Sequence, residues 1–444
     1  MEDTISRRES RRSVTSISGH MRHSSTNHPE ELKPVPRDNF FICHLLCFFI
    51  GFMQLMPLMF IGTAANYWLY KFRNTTIEDQ SGENRTELQS LYQSSAMVAQ
   101  TTPAIIFTLT STLFGHRFDA RKMSIGCLSV LIALFTVFTV FTQVNTDSWQ
   151  TGFFFTTMAL LAFINATVAT FQIATLVIVS RFPRDYMKAF LLGQAGNIMS
   201  DILQVISITF TDSDVTGALI FFTAGIFLII TNLVLFLVAP YTEAYKEYVM
   251  EEEKTGNGGA QKINWSESKQ VVKGIWPALA LMSLALLCTY SIHPSVTTLV
   301  VSEFSGEKTA WTTKYFVPVI TYTLGDASGV VARLATVGSL TRSNYPIWLG
   351  GAALRCIIFI LFPMFCNAQP RPHNLPVLFN HDWEFILFMI VFQASNGFIF
   401  NIAFLSLKEL SGERTEAALK LTLIIMSVIG AIFSSFGILV VKLL

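Results

Sequence analysis

Charge is what this chain has least of. Only 14% of its 444 residues are Asp, Glu, Lys or Arg, while 51% are hydrophobic; ordinary soluble chains carry about 25% charge. A water-soluble fold is excluded on that count. The 31 Lys and Arg nearly cancel the 30 Asp and Glu, leaving +1, so no global field draws in nucleic acid or another polyanion. The six cysteines, Cys43, Cys47, Cys127, Cys288, Cys356 and Cys366, stand in or beside apolar stretches without a CxxC pair or a companion His. They read as small core hydrophobes, neither a disulfide framework nor a zinc site. GxSxG, HExxH and a phosphate-cradling glycine loop are all missing, so nothing points to an enzyme, a metal or a cofactor.

What the sequence does have is a series of long windows free or nearly free of charge. They cover 39–70, 88–116, 123–146, 148–180, 189–211 and 215–242, then 274–302, 315–341, 343–370, 385–407 and 421–441. A helix crosses the hydrocarbon core with about 20 apolar residues. Lipid leaves unsatisfied backbone no partner, and the windows lack the ten-residue alternation of a barrel. The pattern predicts an all-α polytopic membrane protein with eleven transmembrane helices. Its parts are a disordered cytoplasmic tail over 1–38, a six-helix bundle over 39–240, a cytoplasmic tether over 241–273 and a five-helix bundle over 274–444.

Orientation follows from the bias of Lys and Arg toward the cytoplasmic side. A cytoplasmic N-terminus puts Arg117, Arg121, Lys122, Arg181, Arg184, Lys188, Arg342, Lys408, Arg414 and Lys420 in inner loops, while 142–150 and 211–217 carry no Lys or Arg. The C-terminus is then extracellular. The first outer loop holds two glycosylation sequons, at Asn74 and Asn84, as an extracellular segment can. Trp149, Trp311 and Trp383 fall near outer ends and Trp276 and Trp348 near inner ones, as an aromatic belt requires. In the tail, Arg7, Arg8, Arg11 and Arg12 flank Ser10 and Ser13; this is either a kinase or anionic-lipid target or a merely solvated segment.

Four ionisable residues sit deep in the windows: Asp201, Asp326, Arg333 and Arg355. Each would cost about 2.5–3.5 kcal/mol if ionised at mid-membrane, so each needs a pathway to line or a partner. Asp326 and Arg333 are seven residues apart, about 700° of helical rotation and roughly 10.5 Å of rise, which returns them to one face. With Gly329 between them, a carboxylate and a guanidinium could grip a polar solute at both ends. Alternatively Arg333 snorkels to headgroups and Asp326 pairs with Arg355. Gln172 and Asn165 share a face of the fourth helix, either reading a nucleobase edge through a paired donor and acceptor or gluing helices together. Gln194, Asn197 and Asp201 repeat the helical period on the fifth helix and read as a structural hydrogen-bond network. His293, followed by Pro294, either titrates near neutral pH or hydrogen-bonds at a kink.

The six-plus-five layout with a long central loop resembles the equilibrative nucleoside transporter family. Local strings agree: Thr63 to Trp68 after Pro57, Phe163 to Asn165 with Gln172 seven further on, Gly193-Gln194-Ala195, Tyr315 to Pro318, Asn380 to Asp382, and Ser395 to Phe398. The resemblance implies a fold like the major facilitator superfamily, with a nucleoside held between the halves and carried by alternating access. By position, Gln172 would read the base, Leu55, His293 and Tyr322 would line the cavity, and Arg333 would meet the ribose. Asp326 stands one turn from the family carboxylate, where Gly329 falls. In a gapped register, Asp326 takes the carboxylate position and Val330 replaces the arginine. Met56-Pro57-Leu58-Met59 departs from the family's first helix. The expected activity is facilitative transport of nucleosides, extending to nucleobases, across the plasma membrane without ATP. A proton-linked or organic-cation-accepting variant, or a non-transporting scaffold or receptor, is the alternative.

Overall fold

The computed structural model describes residues 37–76, 85–194, 196–251, 265–307, 309–336, 344–369 and 375–444. The tail up to Pro36, the sequon at Asn84 and the glycine-rich part of the tether lie outside them. All regular structure among the described residues is helical apart from two isolated bridges. The helices are α1 (Ile42–Met53), α2 (Met56–Thr63), α3 (Ala65–Lys71), α4 (Glu87–Phe114), α5 (Ala120–Gln143), α6 (Gln150–Ser180), α7 (Arg184–Gln194), α8 (Asn197–Thr209), α9 (Asp214–Val238), α10 (Trp265–Ile292), α11 (Gly325–Leu334), α12 (Tyr345–Leu361), α13 (Asp382–Ser411) and α14 (Thr415–Leu443).

Among the described residues, eight helices are long and apolar enough to cross a bilayer, or ten when two bent pairs each count as one span. The first bent pair turns by 50° between Met53 and Met56. Pro57, second residue of α2, has no N–H to continue the helical ladder, and the chain breaks there. The second pair bends by 43° between Gln194 and Asn197. Ahead of α11 the chain is already helical, wound in wide π turns over Trp311–Tyr315 and Val317–Leu324. Pro318 again removes a donor, and its own carbonyl accepts from the Thr323 hydroxyl at 3.0 Å.

The buried apolar side chains form separate cores. One is built wholly from Cys43 to Val249, and two others from Val271 onward. Within the first, Trp68 stacks on both Phe72 and Tyr92 and so ties α3 to α4. Glycine brings main chains together where helices cross. A Cβ on Gly193 would lie 2.0 Å from the Phe48 carbonyl oxygen, and one on Gly397 would lie 2.3 Å from that of Gly329. The first crossing locks α7 onto α1 and the second α13 onto α11; small residues permit such approach in membrane bundles. Helix α10 begins at Trp265, nine residues before the charge-free window that announces it.

Candidate functional site

The glycine crossings decide which polar side chains meet. A cavity of about 30 Å³ lies between Gln194 and Asn197 on α7 and α8, Asp326, Gly329, Val330 and Arg333 on α11, and Gln393, Asn396 and Gly397 on α13. At roughly 10–15 Å³ per water, that is room for two or three waters. Asp326 and Arg333 therefore share one wall, as their spacing predicts, and no ion pair within 4 Å joins them among the described residues. Arg355 serves elsewhere. It donates to the Ser395 hydroxyl at 2.8 Å and the Phe392 carbonyl at 3.0 Å, and its guanidinium lies over the Phe392 ring at 5.1 Å.

Asp201 stands beside the cavity on α8, with 1% of its surface exposed. Neither of its carboxylate oxygens has a donor among the described residues. Its carboxyl group interacts directly with that of Asp326 across the α8–α11 contact.

Gln172 is one side chain removed from the cavity. Its amide donates to the Gln54 carbonyl at 3.1 Å, and Gln194 donates to the Gln54 side-chain oxygen at 2.6 Å. Leu55 sits next to Gln54 at the α1–α2 break. Asn165 donates to the Gln100 carbonyl and so joins α6 to α4. Tyr322 donates to the Gly62 carbonyl at 3.0 Å and lies 3.2 Å from the Gln93 amide. His293 packs edge-on to Tyr322 at 6.0 Å, and its Nδ1 lies 2.9 Å from the Thr297 hydroxyl. Leu55, His293 and Tyr322 thus flank the cavity without lining it. Gln54, Gln393 and Asn396 were not singled out from the sequence. The signal for the last two was present: Gln393, Asn396 and Gly397 recur at helical spacing inside a charge-free window.

Toward one end the two parts of the chain are pinned together. The Asn66 amide donates to the Lys314 carbonyl at 2.9 Å. The Lys314 ammonium donates to the Thr211 carbonyl at 2.7 Å and to Asp212 at 3.1 Å. Tyr315 donates to Thr209 at 3.3 Å, and Arg85 to the Thr298 carbonyl at 3.3 Å. The cavity lies past this seam, toward the Arg333 end of α11. Glu303, in the loop that follows α10, pairs with His381, just ahead of α13, at 2.7 Å. The hydrogen bond they share holds the His381 imidazole above its ordinary value and the Glu303 carboxyl below its own.

Residues 158–438 match the model of a family described as nucleoside transporter. The chain belongs to the nucleoside transporter family. Transport, not catalysis, is what this family does. Similar relatives include equilibrative nucleoside transporter 3 of Rattus norvegicus, 26% identical over 387 residues, 82% of this chain and 81% of that protein. Equilibrative nucleoside transporter 1 of Homo sapiens is 22% identical over 448 residues, 90% of this chain and 97% of that one. Among solved structures, a mutant of the nucleoside transporter NupG is similar in fold, with a TM-score of 0.50 at 14% identity, covering 90% of this chain and 91% of that one. This family member is thus an integral membrane transporter.

Proposed function

We propose that this chain carries nucleosides, and also nucleobases through the base contacts alone, down their gradient across a bilayer, by alternating access between a six-helix half and a five-helix half. The observation that carries the reading is the shared cavity: Asp326, Arg333, Gln393 and Asn396 come from one part of the chain, Gln194 and Asn197 from the other. A solute bound there touches both parts and so couples their movement. The six spans before the tether correspond to one apolar core and the five after it to the other two. The eleventh span is the helical stretch from Trp311 to Leu334, whose π turns divide it into short pieces.

With the N-terminus cytoplasmic, the Lys314 seam is extracellular, the C-terminus lies outside, and Asn74 and Asn84 are glycosylated at the plasma membrane. The Asn74 side chain already accepts from Thr76 at 3.0 and 2.7 Å. This conformation is closed on the outside, with a cavity contracted to two or three waters. On opening, ribose hydroxyls donate to Asp326 and accept from Arg333, whose opposite hydrogen-bonding roles suit a diol. The base takes the Gln172 amide from Gln54, with Leu55, Tyr322 and His293 as the surrounding wall.

The test is uptake of radiolabelled uridine or adenosine in cells that lack nucleoside uptake. The wild-type chain should give saturable uptake, and Asp326→Ala and Gln172→Ala should each lose most of it at unchanged surface expression. Normal uptake in both variants would refute the site.

A further inference from the structure

We propose that Cys288 on α10 and Cys356 on α12 form an oxidisable dithiol behind the cavity wall, that hydrogen peroxide closes it to a disulfide, and that closure slows passage of the solute. The effect on passage rests on the solute reading of the cavity given above; the dithiol itself does not.

An unbalanced charge marks the place. Arg355 is 6% exposed, and its Nη1 has no hydrogen-bond partner among the described residues. Its other nitrogens reach the Ser395 hydroxyl and the Phe392 carbonyl, and the Phe359 and Phe392 rings lie 5.5 and 5.1 Å from the guanidinium. None of these groups is an anion, and a buried cation without one is costly. Across 274–292 on α10, all of α12, 385–407 on α13 and 421–441 on α14, the ionisable side chains are Cys288, Tyr290, Tyr345, Arg355 and Cys356. No carboxyl is among them. Both thiols interact electrostatically with the guanidinium, and a thiol ionises more readily than a phenol. A thiolate is therefore the anion that suits Arg355.

The two thiols also meet each other. Cys288 and Cys356 are hydrogen-bonding neighbours, and Cys356 donates to the Leu284 carbonyl at 3.1 Å. A thiolate favoured by an adjacent arginine attacks oxidants, and a second thiol within reach resolves the product. The Cys356 thiolate attacks one peroxide oxygen; the O–O bond breaks and hydroxide leaves with the electron pair, giving a sulfenic acid. The Cys288 sulfur then attacks the Cys356 sulfur, the S–O bond breaks, and the sulfenic oxygen leaves as water with the Cys288 proton. The hydroxide takes up the proton that Cys356 released. Two thiols and one peroxide thus give one disulfide and two waters.

The cavity wall is held from both members of this pair. Thr289, next to Cys288, donates to the Asn396 side-chain oxygen at 3.1 Å. Arg355, next to Cys356, holds α13 at Phe392 and Ser395, on either side of Gln393. Gln393 and Asn396 line the cavity. A disulfide draws the sulfurs to about 2.05 Å and leaves Arg355 without its counter-charge, so both supports of the wall are disturbed.

The experiment exposes the full-length chain in liposomes to hydrogen peroxide. One portion goes to peptide mapping by mass spectrometry, another to exchange of labelled for unlabelled uridine. We expect a peptide pair linked through Cys288 and Cys356 that dithiothreitol separates, with loss of most of the exchange and its return on reduction. Cys288→Ser and Cys356→Ser should each keep their exchange through the peroxide treatment. Arg355→Gln should slow the linkage, and Arg355→Lys, which keeps the charge, should not; equal rates in both would overturn the counter-charge argument. Cys288 and Cys356 left free for alkylation after peroxide overturn the dithiol site, and linkage with undiminished exchange overturns its effect on passage. Linkage in a protein that moves no uridine even when reduced upholds the dithiol and refutes the nucleoside reading instead.

Discussion

Gln172 donates to the main-chain carbonyl of Gln54 at 3.1 Å, at the point where α1 gives way to α2. The amide expected to read a base is thus occupied by the protein's own backbone in this conformation. A buried carbonyl that loses its donor costs about 1–3 kcal/mol. Gln172→Ala should therefore lower thermal stability as well as uptake. Gln172→Glu keeps the length, loses the donor and should show the same double defect. Full thermal stability in either variant would show that the Gln54 bond contributes nothing.

The seam at Lys314 is a set of hydrogen bonds, not an apolar interface. Lys314→Met keeps the aliphatic stem and loses the bonds to Thr211 and Asp212. Asp212 is exposed, so its share is small, whereas a charged donor on a carbonyl contributes about 1.5–3 kcal/mol. A shift of about 1.4 kcal/mol is tenfold in population. A cysteine introduced by Ser207→Cys, at a buried position two residues from the Tyr315–Thr209 bond, should react with an impermeant maleimide about tenfold faster in the Lys314→Met background. An unchanged rate would mean that the seam is held by other contacts.

The Gly329–Gly397 crossing makes an asymmetric prediction. Gly397→Ala sets a Cβ 2.3 Å from the Gly329 oxygen, whereas Gly329→Ala meets Gln393 at 3.3 Å. Overpacking of the first kind costs about 1–3 kcal/mol, and the second needs only a few tenths of an ångström of adjustment. The melting temperature in detergent should fall clearly for Gly397→Ala and little for Gly329→Ala. Equal losses would contradict the geometry.

The Glu303–His381 pair gives a pH dependence with a definite sign. His381 titrates above its usual value when folded, so its contribution is complete below about pH 6.5 and is lost as pH rises through the folded value. Glu303 titrates below its own, so its contribution is complete above about pH 4.3 and is lost as pH falls through the folded value. The stability difference between wild type and His381→Ala should be greatest between about pH 4.3 and 6.5 and shrink above neutrality. Melting curves across pH check this; a difference that grows with pH would reverse the assignment.

Much of this is legible in the amino-acid sequence. Missing charge marked the spans, and the seven-residue spacing of Asp326 and Arg333 put them on one wall because α11 is regular over both. Other features depend on tertiary neighbours that no local pattern encodes. Asp201 was recognisable as polar and inward, but its counterpart lies 125 residues away on another helix. Gln54 gave no sequence sign of its role, since a lone glutamine beside a proline break resembles any other. The bearing of Tyr322 was not accessible to a 3.6-residue period, because the turns that carry it are π-wound. Arg355 could have served as an ion-pair partner or a packing element, and its bonds to Ser395 and Phe392 decide for packing.

The contact between Gly329 and Gly397 reaches beyond stability. With backbones touching, α11 and α13 cannot slide apart without losing their fit, so the face bearing Asp326, Arg333, Gln393 and Asn396 behaves as the fixed jaw of a caliper. Helices α7 and α8, bent by 43° between Gln194 and Asn197, form the other jaw. The width at which this caliper stops is then set by the travel of Gln194 and Asn197 rather than by any reshaping of the rigid side. Discrimination by solute size should accordingly respond to changes on α7 and α8, and discrimination by hydroxyl pattern to changes on α11.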